Sequence, residues 1–434
     1  MSAEPRRAAE AIWRAALAAG DVTPLLQHAL RLDGATLSAG GLVLDLDRVR
    51  RVLVLGAGKA GASMARAVEA ILGDRLTEGF VVVKDGYRLP TRRIEIAEAG
   101  HPVPDQRGRA ASERLLALAG SATADDLVLF LVSGGGSALT PAPVPPITLE
   151  EKQAVTRLLL AAGATINELN AVRKHLSRFK GGLLARAAAP APVLTLALSD
   201  VIGDPLDVIA SGPTAPDPST YAEALAVLER RGIVERTPLA IVERLRAGVA
   251  GTAAETPKPG DPLFARVANV VIGNNALVVD AAAAEAARLG YRPQVLTRSL
   301  QGEAREVARD LLDRARALPA PAALIAGGET TVTVRGHGRG GRCQELALAA
   351  ALSLTAEESL VVLAAGTDGT DGPTDAAGGL IDAGTIGRGR AAGVDARRAL
   401  DDNDAYAFLT ATGDVVVTGP TNTNLLDLYV VLRS

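Results

Sequence analysis

Residues 52–72 read VLVLGAGKAGASMARAVEAIL. The opening run, Val52 to Leu55, is apolar at every position, which marks a strand covered on both faces rather than one with a wet side. Gly56, Gly58 and Gly61 interrupt it, and Lys59 to Leu72 continues with the alanine and leucine content of a helix. The same succession returns with apolar runs at Gly79–Lys84, Leu127–Val132, Val193–Leu198, Val270–Ile272, Ala322–Ala326 and Leu360–Ala364. Strand, glycine turn and helix in alternation predict an α/β fold whose sheets are largely parallel and flanked by helices. Leu425–Leu432 predicts a final strand, and Arg6–Ala19 and Pro24–Leu32 predict two helices packed on the first sheet.

The chain has 434 residues, enough for two or three domains at roughly 150 residues each, with two favoured. Gly248–Pro262 (GVAGTAAETPKPGDP) lacks an apolar period and is rich in glycine and proline, so the boundary is placed there, giving domains 1–247 and 248–434. Lys and Arg total 46 against 49 Asp and Glu, a formal net charge of −3, and aromatics are only 3%. Without a basic excess or stacking rings, nucleic acid is a poor partner. The strongest apolar stretch, Ala187–Leu198, is broken by Pro190 and Pro192 and is too short to span a bilayer. Glu4, Arg6, Arg7 and Glu10 leave no secretory leader legible in Met1–Trp13. Cys343 is the single cysteine, so no disulfide forms within the chain, and a reducing, cytoplasmic location is expected.

Ligands of open α/β sheets bind where strands end at their carboxyl side. Gly56-Ala-Gly-Lys-Ala-Gly61 formally matches G-x-G-x-x-G, with Asp85 after the next strand where a dinucleotide's ribose would be held. The first domain is Rossmann-like on that reading. Lys59 stands out, because a cation in a helix's first turn opposes the macrodipole and suggests an anion nearby. Ser133-Gly-Gly-Gly-Ser137 also follows an apolar run. Gly134, Gly135 and Gly136 let backbone approach a ligand, and Ser133 and Ser137 add hydroxyls, so this loop predicts anion binding.

Asn167–Gly182 (NELNAVRKHLSRFKGG) is dense in charge. At helical spacing Asn170, Lys174 and Arg178 share one face, while Arg173 and Lys180 share another. Charge runs are mostly solvated faces; Asn170 and Lys174, on a face toward the glycine loops, are the binding candidates. Asp200, after Val193–Leu198, is a candidate general base or magnesium ligand, against the commoner duty of such acids in caps and turns.

Three stretches combine in the second domain: Gly327-Gly-Glu-Thr330, Gly338-Arg-Gly-Gly-Arg-Cys-Gln-Glu345 and GTDGTDGPTD at Gly366–Asp375. Arg342 opens a helix behind a glycine pair, and a guanidinium suits planar carboxylates and spread phosphoryl charge. Glu329, Gln344, Thr367 and Asp368 are binding candidates. Asp368 and Asp371 could hold magnesium, although their spacing with Asp375 is not that of a calcium loop. Cys343 lacks a histidine partner nearby, which makes a nucleophilic role a minor reading.

No G-x-x-x-x-G-K-[ST], G-x-S-x-G or H-R-D with D-F-G occurs, and four dispersed histidines with one cysteine make no zinc site. Cations and acids in strand-end loops suit a polyanion with Mg²⁺. Phosphoryl transfer needs positioning, neutralised oxygens and an acceptor for the alcohol proton. The alternatives are a NAD(P)H-dependent reductase using the Gly56–Gly61 fingerprint and a non-catalytic sugar-phosphate-binding protein.

Taken in order, GAGKAG (Gly56–Gly61), GHPVPD (Gly100–Asp105), SGGGSAL (Ser133–Leu139), NAVRKHLSRFKGG (Asn170–Gly182) and LSDVIGD (Leu198–Asp204) form a long pattern. It continues through SGPTAPDPST (Ser211–Thr220), GGETTVTVRGHGRGGRCQELAL (Gly327–Leu348), GTDGTDGPTDAAG (Gly366–Gly378) and GPTNTNLLDL (Gly419–Leu428). Over nearly its whole length the chain resembles the glycerate 2-kinases, whose C-terminal half is called the MOFRL domain. The resemblance implies ATP- and Mg²⁺-dependent phosphorylation of D-glycerate at the C2 hydroxyl, giving 2-phosphoglycerate and ADP. It implies an active site in the cleft between the two domains with Lys59, Asp200 and Arg342 central to it. Where that family usually carries asparagine this chain has Cys343. Members have also been labelled hydroxypyruvate reductases, which is the reductase alternative above. The implied partners are small molecules, with neither nucleic acid nor membrane, for a monomer or homodimer.

Overall fold

A computed structural model describes residues 4–434. The chain forms two compact units: Val22–Ile272, and the segment ending at Asp21 together with Gly273–Ser434.

The larger unit is built on six strands in the spatial order Ile94–Ala99, Glu78–Lys84, Arg51–Ala57, Asp126–Val132, Val193–Leu198, Val267–Gly273. Every pair with a defined register is parallel. The order runs outward in both directions from the neighbours Arg51–Ala57 and Asp126–Val132, and such a reversal opens a crevice at the strands' carboxyl ends. Asp126–Val132 is buried at every position, which accounts for its unbroken Leu, Val and Phe run. Helices on the sheet close a core around Leu55, Leu115, Phe130, Val132 and Phe179. A second apolar cluster, including Leu159, Val172, Tyr221, Leu228 and Leu245, joins the helices Leu149–Ala161, Ile166–His175, Tyr221–Arg230 and Leu239–Val249. Three of these start with reciprocal capping pairs, Thr148 with Glu151, Thr165 with Glu168 and Thr220 with Glu223.

The smaller unit also has six strands, ordered Arg292–Leu300, Ala322–Gly328, Asp427–Arg433, Leu360–Gly366, Gly378–Asp382, Val415–Val416. Four point the same way, while Asp427–Arg433 and Gly378–Asp382 run against them. The last strand therefore enters the middle of its sheet, as its nearly complete burial requires. Helices Ala304–Ala317 and Arg342–Ser353 cover one face. Among the described residues no helix is long and apolar enough to cross a membrane.

The boundary and the first helix differ from the sequence expectation. The stretch 248–262 stays inside the larger unit: Glu255 meets His175 Nε2 at 2.8 Å and Thr256 Oγ1 donates to Asp217 at 2.9 Å. Val267–Gly273 then adds the sixth strand. Glycine and proline there mark irregular backbone, not a lack of anchors. Helix Glu4–Ala19 does not pack on the first sheet but belongs to the smaller unit. Its Arg6 reaches Asp382 and Asp414, each at 2.8 Å, and Arg388 shares both buried carboxylates. The helix expected at Pro24–Leu32 spans Val22–Ala29, and Arg31–Asp33 opens a small antiparallel sheet with Thr36–Ala39 and Leu42–Asp45.

Candidate functional site

The reversal in strand order sets the loops Gly56–Gly61 and Ser133–Ser137 side by side, and backbone hydrogen bonds join them. Lys59 N–H donates to Gly134 O at 2.9 Å, Ser133 N–H to Ala57 O at 3.2 Å, and Ala60 N–H to Ser133 Oγ at 3.0 Å. Gly58 has φ 141°, and a Cβ there would lie 2.2 Å from Ser133 Oγ, so the neighbouring loop itself demands glycine. A Cβ on Gly61 would press on Val81 at 2.8 Å, and one on Gly56 on Leu131 O at 2.8 Å. Packing alone thus accounts for the G-x-G-x-x-G pattern. Asp85, the ribose candidate, is gripped by Arg107 at 2.6 and 2.7 Å, which holds its carboxyl below the ordinary range. Lys59 sits in the turn just ahead of helix Gly61–Leu72, not within its first turn. Its Cγ, like the His101 ring, lies against Gly135, at 3.4 and 3.1 Å from where a Cβ would stand.

Ser137 is the meeting point of the remaining groups. Its hydroxyl pairs with Ser211 Oγ at 2.8 Å, and Ser211 donates onward to Asn170 Oδ1 at 3.0 Å. Arg173 donates to Ser137 Oγ at 2.6 Å, and Lys180 Nζ to the Ser137 carbonyl at 2.7 Å. Close by, Lys152 Nζ donates to Pro141 O at 2.5 Å. Ser211 lies in a left-handed run, with φ 50° at Ala210 and 63° at both Ser211 and Gly212. Such backbone costs about 1–3 kcal/mol for each non-glycine residue, and it is found where surroundings hold it for a purpose.

Among the described residues Lys152, Arg173 and Lys180 have no carboxylate partner, although all are withdrawn from solvent. Burial, reinforced by the neighbouring Arg173 charge, pushes both lysines well below the ordinary lysine value, and burial brings Arg173 down to about 10. A cavity of about 430 Å³ opens beside all three.

Lys174, one residue along, is used differently: its buried ammonium lies 3.1 Å from both Asp207 and Asp217. Helix Ile166–His175 stops before Arg178 and Lys180, and Ser177 Oγ accepts from the Phe179 and Lys180 amides. Arg173 and Lys180, which helical spacing groups together, both reach Ser137 although the helix ends between them, and Arg173 rather than Lys174 lines the cavity. His175 is tied by both ring nitrogens, to Ala171 O and Glu255. Asp200 lies two residues past the end of strand Val193–Leu198. That strand lies two spacings from Arg51–Ala57, so the Asp200 and Lys59 loops leave the same sheet end roughly 10 Å apart.

In the smaller unit Arg342 opens helix Arg342–Ser353. Its Nε and Nη2 meet Asp427 at 2.5 and 2.9 Å, and its Nη1 meets Glu329 at 2.8 Å. Tyr429 O–H also donates to Asp427, at 2.9 Å. Burial works against the guanidinium charge, but Asp427 outweighs it and raises the Arg342 pKa. Glu329 is thus a partner of Arg342. Gln344 donates from its backbone and side-chain nitrogens to Asp371 at 2.8 and 3.0 Å, while its buried Oε1 has no partner. Asp371, expected as a metal ligand, is a helix cap: its two oxygens take the Cys343 and Gln344 amides, and burial pushes it up to about 7. Asp368 Oδ1 accepts from the Thr370 amide at 2.9 Å, and Thr367 Oγ1 donates to Leu426 O at 2.7 Å. No group of three His, Cys, Asp or Glu suited to a metal occurs among the described residues. Burial, with Asp427 and Asp371, raises the Cys343 thiol and keeps it protonated, which removes it as a nucleophile.

Ser211 and Asp427 lie within the motifs SGPTAPDPST and GPTNTNLLDL, which do not single them out as site residues, and Lys152 lies in no motif at all. Lys152 had a usable signal, since it interrupts the buried face Leu149, Val155, Leu159 of its helix.

Residues 8–246 match the family described as a domain of unknown function, DUF4147, and residues 322–427 match the MOFRL family. D-glycerate 2-kinase of Thermotoga maritima is 45% identical, over 90% of this chain and 91% of its own. A protein of Agrobacterium vitis provisionally named hydroxypyruvate reductase is also 45% identical, over 88% of this chain and 87% of its own. The crystal structure of Thermotoga maritima glycerate kinase superposes with a TM-score of 0.84 at 40% identity, covering all of both chains. Matches of this extent, running through both units in the same order, place the chain in the family of MOFRL-containing glycerate kinases.

Proposed function

We propose that the protein is a glycerate 2-kinase, transferring the γ-phosphoryl group of ATP to the C2 hydroxyl of D-glycerate. The observation that carries this reading is the acid-free group Lys152, Arg173 and Lys180 at the strand-order reversal, a setting that calls for a polyanion. Relatives spanning nine-tenths of the chain bear that name. The reductase reading has less support, because Asp85 is engaged by Arg107 and the fingerprint glycines are explained by packing.

In the proposed reaction the C2 oxygen attacks the γ-phosphorus as its proton passes to Asp200, and the bond to the β-phosphate oxygen breaks to release ADP. Lys59 and Arg342 stabilise charge on the transferring group. Asp427 fixes the plane of the Arg342 guanidinium, whose side chain is 33% exposed. Magnesium usually binds through phosphates and one or two carboxylates; Asp368 would hold it, whereas Asp371, committed to its helix, would not. When bound, it neutralises phosphate oxygens. A single buried cysteine suits a reducing cytoplasm. The test is to incubate the purified chain with D-glycerate, ATP and Mg²⁺, and separately with hydroxypyruvate and NADH or NADPH. ADP with 2-phosphoglycerate is the expected outcome; cofactor oxidation without ADP, or binding without turnover, sinks the proposal.

A further inference from the structure

The cavity of about 430 Å³ is lined by two unlike sets of side chains. One is polar, with Ser137, Lys152, Arg173 and Lys180. The other is apolar, Pro102, Pro104, Leu149, Leu160 and Leu169 together with Pro141, whose carbonyl takes Lys152. Neither Asp nor Glu lines it anywhere. Helix Leu149–Ala161 contributes one face, with Leu149, Gln153, Thr156 and Leu160 at helical spacing.

We infer that this cavity holds the nucleoside triphosphate, its base against the proline and leucine wall and its phosphates toward Ser137, Arg173 and Lys180. The inference rests on the kinase reading and decides which substrate sits where. A three-carbon hydroxy acid is polar on every carbon, so the apolar wall would desolvate its hydroxyls and return nothing. It is also small for a cavity in the range that holds ligands of nucleotide size. A base has flat apolar faces to bury, and a triphosphate supplies the several negative charges that three acid-free cations lack. The Ser137–Ser211–Asn170 relay turns the Ser137 oxygen toward Arg173 and fixes the polar set. Lys59, beside Gly135 at the cavity's margin, lies where the terminal phosphate would emerge.

The experiment uses the full chain with Mg²⁺ and a photoreactive azido-adenosine triphosphate, followed by peptide mapping. Label is expected in 101–104 or 149–160, suppressed by ATP and not by D-glycerate. In parallel, Thr156→Trp fills the slot, and Leu160→Asp alters its exposed rim where folding is not at stake. Both are expected to raise the nucleotide KM by about tenfold or more while the D-glycerate KM holds. Label mapping elsewhere, suppression by D-glycerate, or a rise confined to the D-glycerate KM overturns the assignment even if the wild type forms ADP. A wild type that is labelled here but forms no ADP from D-glycerate keeps the nucleotide site and discards the kinase. Absence of both label and ADP discards both.

Discussion

The two units hold their cations in opposite ways. Arg342 arrives with its counter-charges built in: Asp427 takes it bidentately and Glu329 takes the third nitrogen. Lys152, Arg173 and Lys180 lean on carbonyl oxygens and one hydroxyl, with no acid in reach among the described residues. Lys174 is the internal control, since on the same helix as Arg173 it is buried against Asp207 and Asp217. The fold evidently supplies acids where a buried cation is structural. Withdrawing an unpaired ion from water costs several kcal/mol, so an acid-free group is a site whose missing partner is a ligand. A compensated cation is instead held in orientation, ready to act on charge that appears only during reaction.

The sharpest way to break this contrast is to remove one cation from each group. Arg342→Met is expected to lower kcat about 100- to 1,000-fold. It should also destabilise the fold by about 3 kcal/mol, because Asp427, 1% exposed, keeps the Tyr429 hydroxyl but loses its cation. Adding Asp427→Asn should restore stability but not turnover. Lys180→Met is expected to lose activity on a similar scale while its unfolding midpoint holds or rises. Denaturant titration beside steady-state kinetics reads both; equal destabilisation by the two single variants would end the distinction.

Next in size is the seating of the loops. Gly58→Ala puts a Cβ 2.2 Å from Ser133 Oγ at φ 141°, with an expected loss of about 2–3 kcal/mol and of turnover as Lys59 shifts. Gly387, in helix Thr385–Ala391 of the smaller unit, has open space at the same position. Gly387→Ala should gain up to about 1 kcal/mol with activity unchanged. Thermal unfolding of the two variants checks both signs.

The apolar runs made the α/β class and most central strands legible, because burial on both faces leaves no polar alternation to confuse. The half-exposed Ile94–Ala99 and Arg292–Leu300 lacked that signal. Nor could local pattern reveal that Arg6 bonds Asp382 and Asp414, since only the folded sheet brings them together. The glycine loops and Lys59, Asp200 and Arg342 stood out as motif positions. Which cation face of NAVRKHLSRFKGG meets the cavity did not: spacing pairs Arg173 with Lys180, but only the fold shows Lys174 taken by Asp207 and Asp217. Charge compensation was equally hidden: Asp427 lies 85 residues from Arg342.

The smallest expected effect is one of protons. Lys152 and Lys180 titrate in the folded chain well below the ordinary value of 10.5, chiefly through burial. Above 10.5 the unfolded lysines are neutral as well and no stability is lost. As pH falls below that value the unfolded chain binds protons first, so the ligand-free fold loses stability down through the lowered folded values. A polyanion at the polar set reverses the shift by favouring the charged ammonium. Binding of inorganic tripolyphosphate below pH 10.5 should therefore take up protons, which calorimetry over a series of pH values in buffers of differing ionisation enthalpy measures directly. Lys180→Met should reduce the uptake, whereas Arg342→Met, removing a cation that is already charged and paired, should leave it unaltered. Uptake that is absent in the wild type would mean the lysines are protonated before any anion arrives, and the contrast between the two groups would then lie in geometry alone.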